Sequence, residues 1–282
     1  MIKNFALGSE FIYLKLYTGP FFSDIILRKL CKEAISLYNE KKISLFFFIR
    51  YLDPDYHIRF RIRIKNIDEC FYITKKINTS LQREIEAGVV KIVYDTYCRE
   101  LERYGDKNIE KMEYLFYYDS LSYIKFIEKF HESENFNINI NYYKLGYIFH
   151  NVLHIIDDFG FQKEEGYELI KKIVKAYEIE FNKDSTLNKA LQKKYKKEIS
   201  NIRNLSKKSI VANILTEKSI SSKPQIEYLR SINNNTEIDR LVCNYIHLCC
   251  NRTFDYDFRK CEYIVYDLLH RFLKEELFKN VQ

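Results

Sequence analysis

Residues 57 to 64, HIRFRIRI, set His57, Arg59, Arg61 and Arg63 at every second position. On a strand, period two puts these four side chains on one face and Ile58, Phe60, Ile62 and Ile64 on the other. The apolar row can cover a core. Three neighbouring guanidiniums repel one another unless an anion sits among them, and their planar forks of donors suit a carboxylate or a phosphate. The row therefore reads as an anion-binding wall on rigid backbone, or as an exposed polar strand face with its arginines in water. The preceding run, SLFFFIRY, ends on Arg50 and Tyr51, and Asp53-Pro54-Asp55 joins the two runs with turn chemistry.

Three further clusters carry chemically able side chains. In NYIHLCCNRTF, residues 244 to 254, His247 and Asn251 are four apart and share a helix face. His247 is a candidate general acid or base near neutral pH, or a satisfied core histidine. In YCRELERYGD, residues 97 to 106, Glu100 and Arg103 stand one turn apart and Gly105 can supply a positive φ. In HNVLH, residues 150 to 154, two histidines are spaced as in zinc metalloproteases. Asn151 stands where such a motif needs its general-base Glu, so no metal site is expected there. Glycine-rich phosphate loops and a G-x-S-x-G elbow are absent.

The elements that must position these residues can be read from periodicity. Strands are expected at 10–17, 44–51, 57–65 and 89–97, with a helix starting at Ser23 and another over 67–86. From 107 on the spacing is helical, over 107–131, 141–158, 164–182, 186–208, 223–232, 236–252 and 257–278. The fold class is α+β, with an antiparallel sheet in the N-terminal third and a mostly helical C-terminal two-thirds. The chain reads as a single domain over 1–282, strand-rich over 1–106 and helical over 107–282.

Composition bounds the rest. The chain has 282 residues, 46% apolar, with seven Gly and three Pro, so it can bury a sizeable core and has little linker. It lacks a long apolar run and a signal-peptide build, and its seven cysteines show no framework spacing. These features fit a cytoplasmic protein with reduced thiols and no membrane contact. Net charge is +7, yet residues 171 to 208 hold 12 Lys or Arg against four Asp or Glu. That excess of +8 leaves the rest of the chain near −1. The basic stretch is either a solvated helix face or a docking surface for an acidic peptide or nucleic acid.

Taken together the clusters resemble the thiopeptide-type bacteriocin biosynthesis domain. That domain also forms the C-terminal, glutamate-elimination part of class I lantibiotic dehydratases. RYLDPDYHIRFR is similar to the family's R-Y-x-D-P-x-x-H-[IL]-R-[LF]-R, and YCRELERYGD to its Y-x-x-E-x-x-R-Y-G-G, with Asp106 for the last Gly. EYLFYYDS, residues 113 to 120, resembles its F-x-x-D-S. NYIHLCCNRTF resembles S-x-x-H-M-x-x-N-R-[LF], with Asn244 for Ser and Leu248 for Met. FIYLKLY matches the opening strand, with Phe11 where Trp is usual.

The resemblance implies the eliminating half of a split dehydratase, standing alone as in thiopeptide pathways. A separate glutamyl-tRNA-dependent glutamylation protein would esterify Ser or Thr of a precursor peptide, and this chain would expel glutamate. The products are dehydroalanine or dehydrobutyrine. The elimination set carries over onto Arg59, Arg61, Arg103 and His247, which would then line one cleft. Arg50, His57, Asn251 and Arg252 are expected to touch substrate, and no metal or organic cofactor is required. Two alternatives stay open. One is the family's pyridine-forming cyclase; the other is a non-catalytic peptide- or RNA-binding accessory module. The oligomeric state, a homodimer included, is also open.

Overall fold

The computed structural model describes residues 2–132, 140–206 and 209–279. The chain divides into two compact units, Met1–Ser133 and Glu134–Gln282. Among the described residues no helix is long and apolar enough to cross a membrane.

Unit 1 is built on a four-stranded antiparallel sheet of β2 (Phe11–Tyr17), β3 (Ile43–Tyr51), β4 (His57–Ile64) and β5 (Lys91–Asp95). The spatial order is β3-β4-β2-β5. A second ribbon pairs the short β1 (Asn4–Phe5) with β6 (Tyr97–Cys98). The register fixes what each face holds, because residues directly opposite in an antiparallel pair point the same way. Phe46 lies opposite Ile62 and Ile62 opposite Ile12; Phe48, Phe60 and Leu14 form the next row. Helix α5 (Ile109–Glu132) covers this apolar face, with Tyr117 edge-on to Phe46 at 5.3 Å and Tyr123 edge-on to Phe48 at 6.1 Å. Helix α1 (Pro20–Asn39) buries Ile26, Leu27, Leu30, Ala34 and Leu37, at positions that recur with the helical period. Between β4 and β5 the chain forms a short 3-10 turn, α2 (Cys70–Ser80) and α3 (Gln82–Glu86), where the sequence reads as one helix over 67–86. A four-residue helix, α4 (Leu101–Tyr104), precedes α5.

Unit 2 is helical: α6 (Ile140–Asp158), α7 (Lys163–Glu180), α8 (Ser185–Ser206), α9 (Ser209–Ile232), α10 (Asn235–Thr253) and α11 (Phe258–Lys279). Six of the expected helices appear within two residues of their expected starts. The last two residues of the 186–208 expectation lie outside the described residues. The expectation at 223–232 is corrected: α9 starts at Ser209 and carries Pro224 inside it. Proline normally opens a helix, so its position suggested a start there. Pro224 is exposed, so the backbone bond it removes can be replaced by water. The strands all end by Cys98 and every element from α5 onward is helical, as the split at 106 expects; α5 itself packs on β3 inside unit 1.

Candidate active site

The arginine row is real and its members are held in three different ways. Arg63 is neutralised: its Nη2 lies 2.9 Å from Glu10 and its Nε donates to the same carboxylate at 3.1 Å. Arg59 stacks on Tyr51, its guanidinium 3.5 Å from the ring centroid, and its Nε donates to His57 Nε2 at 3.2 Å. Arg61 is 6% exposed and sits among three rings, those of Tyr13, Tyr97 and Phe47, at 4.9, 5.3 and 5.4 Å. Among the described residues neither Arg59 nor Arg61 forms an ion pair, and Arg61 Nε has no hydrogen-bond partner. A guanidinium taken out of water without a counter-ion is costly, and aromatic faces offset only part of that cost. The arrangement attracts an anion.

His57 is buried beside the row. It is 1% exposed, its Nδ1 is 2.8 Å from the Asp55 carbonyl, and its Nε2 accepts from Arg59. Burial pushes its pKa down, helped by the charges of Arg59, Lys15 and Arg61 and opposed by the Asp55 carbonyl. A neutral ring donating from Nδ1 and accepting at Nε2 braces Arg59. Arg50 is placed apart from that row. It lies on the helix-covered face with Phe46 and Phe48, opposite Ile58. Fully buried, it pairs with Asp24, donates to Ser23 Oγ at 3.2 Å and packs 5.2 Å from the Tyr123 ring.

Arg103 stands on α4, half-exposed, with Nη1 3.2 Å from Glu100 Oε2 as the spacing predicts. Gly105 has φ +77°, which ends α4 after one turn. What fixes this segment on the unit is a pair that sequence reasoning missed. Arg99 donates from Nε and Nη2 to Glu113 of α5, both at 2.7 Å, and Tyr97 donates to Glu113 at 2.9 Å. Both charged partners are buried, and the bidentate geometry suits a planar fork.

His247, Asn251 and Arg252 lie in unit 2. A capping box, Asn234 with Glu237, starts α10 and sets its length. His247 occupies a half-buried position on α10. Its Nδ1 is 2.7 Å from Oε1 of Glu262, a fully buried carboxylate on α11. Its Nε2 is 3.1 Å from Asn251 Nδ2, one turn on, so the predicted shared face is present. The ring is therefore not a buried core histidine: one nitrogen is anchored inward and the other sits at the half-exposed side with Asn251. Arg252 is wholly buried, with Nη1 4.0 Å from Cys249 Sγ. No spacing in the sequence pairs Glu262 with His247, because the two are brought together only by packing of α10 on α11. The one available hint was a carboxylate four residues from Tyr266 on an otherwise apolar helix face.

The histidines of HNVLH are spent on structure. His150 Nε2 is 2.7 Å from the Ile202 carbonyl, and His154 Nδ1 is 3.2 Å from Ser219 Oγ, which itself donates to Asp158. Among the described residues no His, Cys, Asp and Glu group is arranged to hold a metal ion.

Residues 12–273 match the profile of a protein family described as lantibiotic biosynthesis dehydratase, C-terminal. Subtilin biosynthesis protein SpaB of Bacillus subtilis is 24% identical over 253 residues, which is 88% of this chain and 24% of SpaB. The chain thus spans about a quarter of that relative's length. Among solved structures, the tRNA-dependent lantibiotic dehydratase MibB from Microbispora sp. 107891 superposes with a TM-score of 0.76 at 18% identity. The match covers 100% of this chain and 29% of MibB. The pyridine synthase TbtD from thiomuracin biosynthesis gives 0.63 at 10% identity, over 95% of this chain and 98% of TbtD. TsrL gives 0.61 at 11%, over 95% of both chains. At these identities the likeness to the solved structures is one of fold.

Proposed function

The chain belongs to the lantibiotic biosynthesis dehydratase C-terminal family, and from that premise we propose that it eliminates glutamate from glutamylated Ser or Thr of a ribosomally made precursor peptide. The observation that carries this reading is Arg61, a buried guanidinium boxed by aromatic rings with no carboxylate partner among the described residues.

The chemistry follows from the groups. His247 takes the proton from the peptide Cα through Nε2. The electron pair left on Cα forms the Cα–Cβ double bond, and the Cβ–O bond of the ester breaks. Glutamate departs with that oxygen as a carboxylate, carrying a second carboxylate on its side chain. Arg59, Arg61 and Arg103 stabilise the charge that develops on the leaving group; donors aimed at such charge typically contribute about 10²–10³-fold in rate. The glutamyl ester itself is made by a glutamyl-tRNA-dependent activity outside the residues assigned here.

The test is mass spectrometry of the precursor after incubation with the glutamylation activity and this protein. With the unaltered chain, dehydrated residues form. With His247→Ala, Arg59→Ala or Arg103→Ala, glutamyl esters accumulate instead, because ester formation is untouched and only elimination is lost. Complete dehydration by the His247→Ala protein would overturn the assignment. If the unaltered chain leaves the glutamyl esters in place but closes a nitrogen heterocycle in a peptide that already carries dehydroalanines, the chain is a pyridine-forming enzyme like TbtD.

A further inference from the structure

The pairing of His247 with Glu262 has a consequence that the elimination reading leaves open, namely which nitrogen holds the proton at rest and why. Glu262 is 0% exposed, on α11, with three neighbours that hold its carboxylate in place. Oε1 accepts from His247 Nδ1 and from Tyr266 OH, each at 2.7 Å. Oε2 accepts from Arg259 Nη1 at 3.1 Å. Arg259 in turn is anchored by Glu180, its Nε donating at 3.0 Å, and lies 4.2 Å from the Tyr177 ring of α7.

Resting on the reading that His247 moves the Cα proton, we propose that Glu262 is the positioning residue of that histidine: it fixes the Nδ1–H tautomer and leaves Nε2, at the half-exposed side beside Asn251, as the nitrogen that takes the proton. A buried carboxylate can only accept, so the facing ring nitrogen must carry the hydrogen. A second hydrogen-bonded shell of this kind locks ring orientation as well as tautomer. Tyr266 and Arg259 take two further acceptor positions of the carboxylate, which restrains its rotation. Burial alone would push the Glu262 carboxyl up. The hydrogen bond and charge of His247, with the hydroxyls of Tyr177 and Tyr266, more than offset this and hold it below the usual carboxylate range. It therefore stays ionised through the neutral range.

The other titratable groups around the pair are Tyr177 on α7, Cys250 on α10, and Arg259 and Tyr266 on α11. Burial raises both tyrosines far above their ordinary range, so neither changes charge near neutrality. Arg259 keeps its proton at all relevant pH. Asn251 completes the arrangement at Nε2, since an amide can present its NH2 to a lone pair or its carbonyl to an N–H.

A merely space-filling Glu262 would leave the imidazole's protonation unaffected, and this separates the two roles. The measurement is ¹⁵N NMR of the six histidines in the intact protein, with His247 assigned by loss of its signals in His247→Gln. In the unaltered chain the neutral ring is expected to be protonated at Nδ1. Glu262→Gln removes the charge at constant shape. The Nδ1–H share of the neutral His247 ring is then expected to fall, because an amide holds an N–H less strongly than a carboxylate does. Tyr266→Phe removes only a competing hydroxyl and makes the carboxylate a stronger acceptor, so the Nδ1–H proton should move downfield as its hydrogen bond strengthens. Should Glu262→Gln fail to fold, Tyr266→Phe alone decides the matter. An unchanged His247 tautomer and Nδ1–H signal in whichever variant folds would overturn the proposal. A changed His247 signal together with normal elimination by His247→Ala would instead keep the positioning and remove the elimination role.

Discussion

Arg61 stands in the chain as one of four polar residues at period two, and the sequence located it on one strand face without difficulty. What the sequence did not convey is that its neighbours on that face differ. Arg63 finds Glu10, while Arg61 finds rings. Besides the rings, Arg61 reaches only the Arg59 carbonyl among the described residues, at 3.4 Å. That lack of a carboxylate depends on β2 pairing with β4, which sets Tyr13 opposite Arg61 and Phe11 opposite Arg63. It has a measurable effect. Replacing a buried unpaired cation with an apolar side chain of similar length relieves a desolvation cost, so Arg61→Met should leave the protein as stable or more stable, by up to about 1–4 kcal/mol. The same variant should lose elimination by about 10²–10³-fold. Thermal unfolding and a single-turnover assay on a glutamylated peptide measure the two effects. A large loss of stability would mean that Arg61 is a structural member of the sheet. Arg50 shows the opposite outcome. Period two already placed it with Phe46 and Phe48, so its fate on the covered face was available from the pattern, but the neighbouring Tyr51 and the turn suggested a polar strand end.

At the level of elements, strands and long helices were legible because each carries its own periodicity. The positions of α4 and of the β1–β6 ribbon were not, since two to four residues are too short to show a period. The helix α8 was expected as a basic face, and its charges do segregate. Leu191, Tyr195, Ile202 and Leu205 are buried, while Lys193, Lys196 and Lys197 are exposed and Lys194 reaches Glu198 at 3.9 Å. Lys193 and Lys197 are one turn apart, with Lys196 beside them, so three cations share one side. Changing Lys193, Lys196 and Lys197 to Glu should weaken binding of an acidic leader peptide at low salt. The defect should shrink as ionic strength rises above about 0.1 M, where screening acts within roughly 10 Å. Fluorescence anisotropy of a labelled leader peptide reads this out; identical affinity at low salt would make α8 a solvated face and nothing more.

Across the whole molecule, burial acts on histidines in one direction. His57 in unit 1 and His150, His154 and His270 in unit 2 all have depressed pKa values, with burial the largest cause in each. A group whose folded pKa lies below its unfolded one binds fewer protons when folded, so acid favours the unfolded chain. The contribution is full above the unfolded value of about 6.5 and declines as pH falls through and below it. Asp157 and Asp158 work the other way, because burial raises them, but they do so lower in the carboxylate range. The midpoint of thermal unfolding should therefore drop as pH is lowered from about 7.5 to about 5.5. A flat profile over that interval would mean that these rings are more accessible than their packing indicates. The overall α+β division was legible from where alternation gives way to helical spacing. The joining of His247 to Glu262 was not, because it exists only between helices.

Strand β4 keeps its two tasks on alternate letters. Ile58, Phe60, Ile62 and Ile64 answer to the core, and positions 57, 59, 61 and 63 answer to the opposite face. A lineage could rewrite the second set while the first stays fixed, so new reactions can be tried without re-inventing the fold. A gene library randomised only at those four odd positions should consequently retain a high fraction of folded proteins, whereas one randomised at 58, 60, 62 and 64 should not.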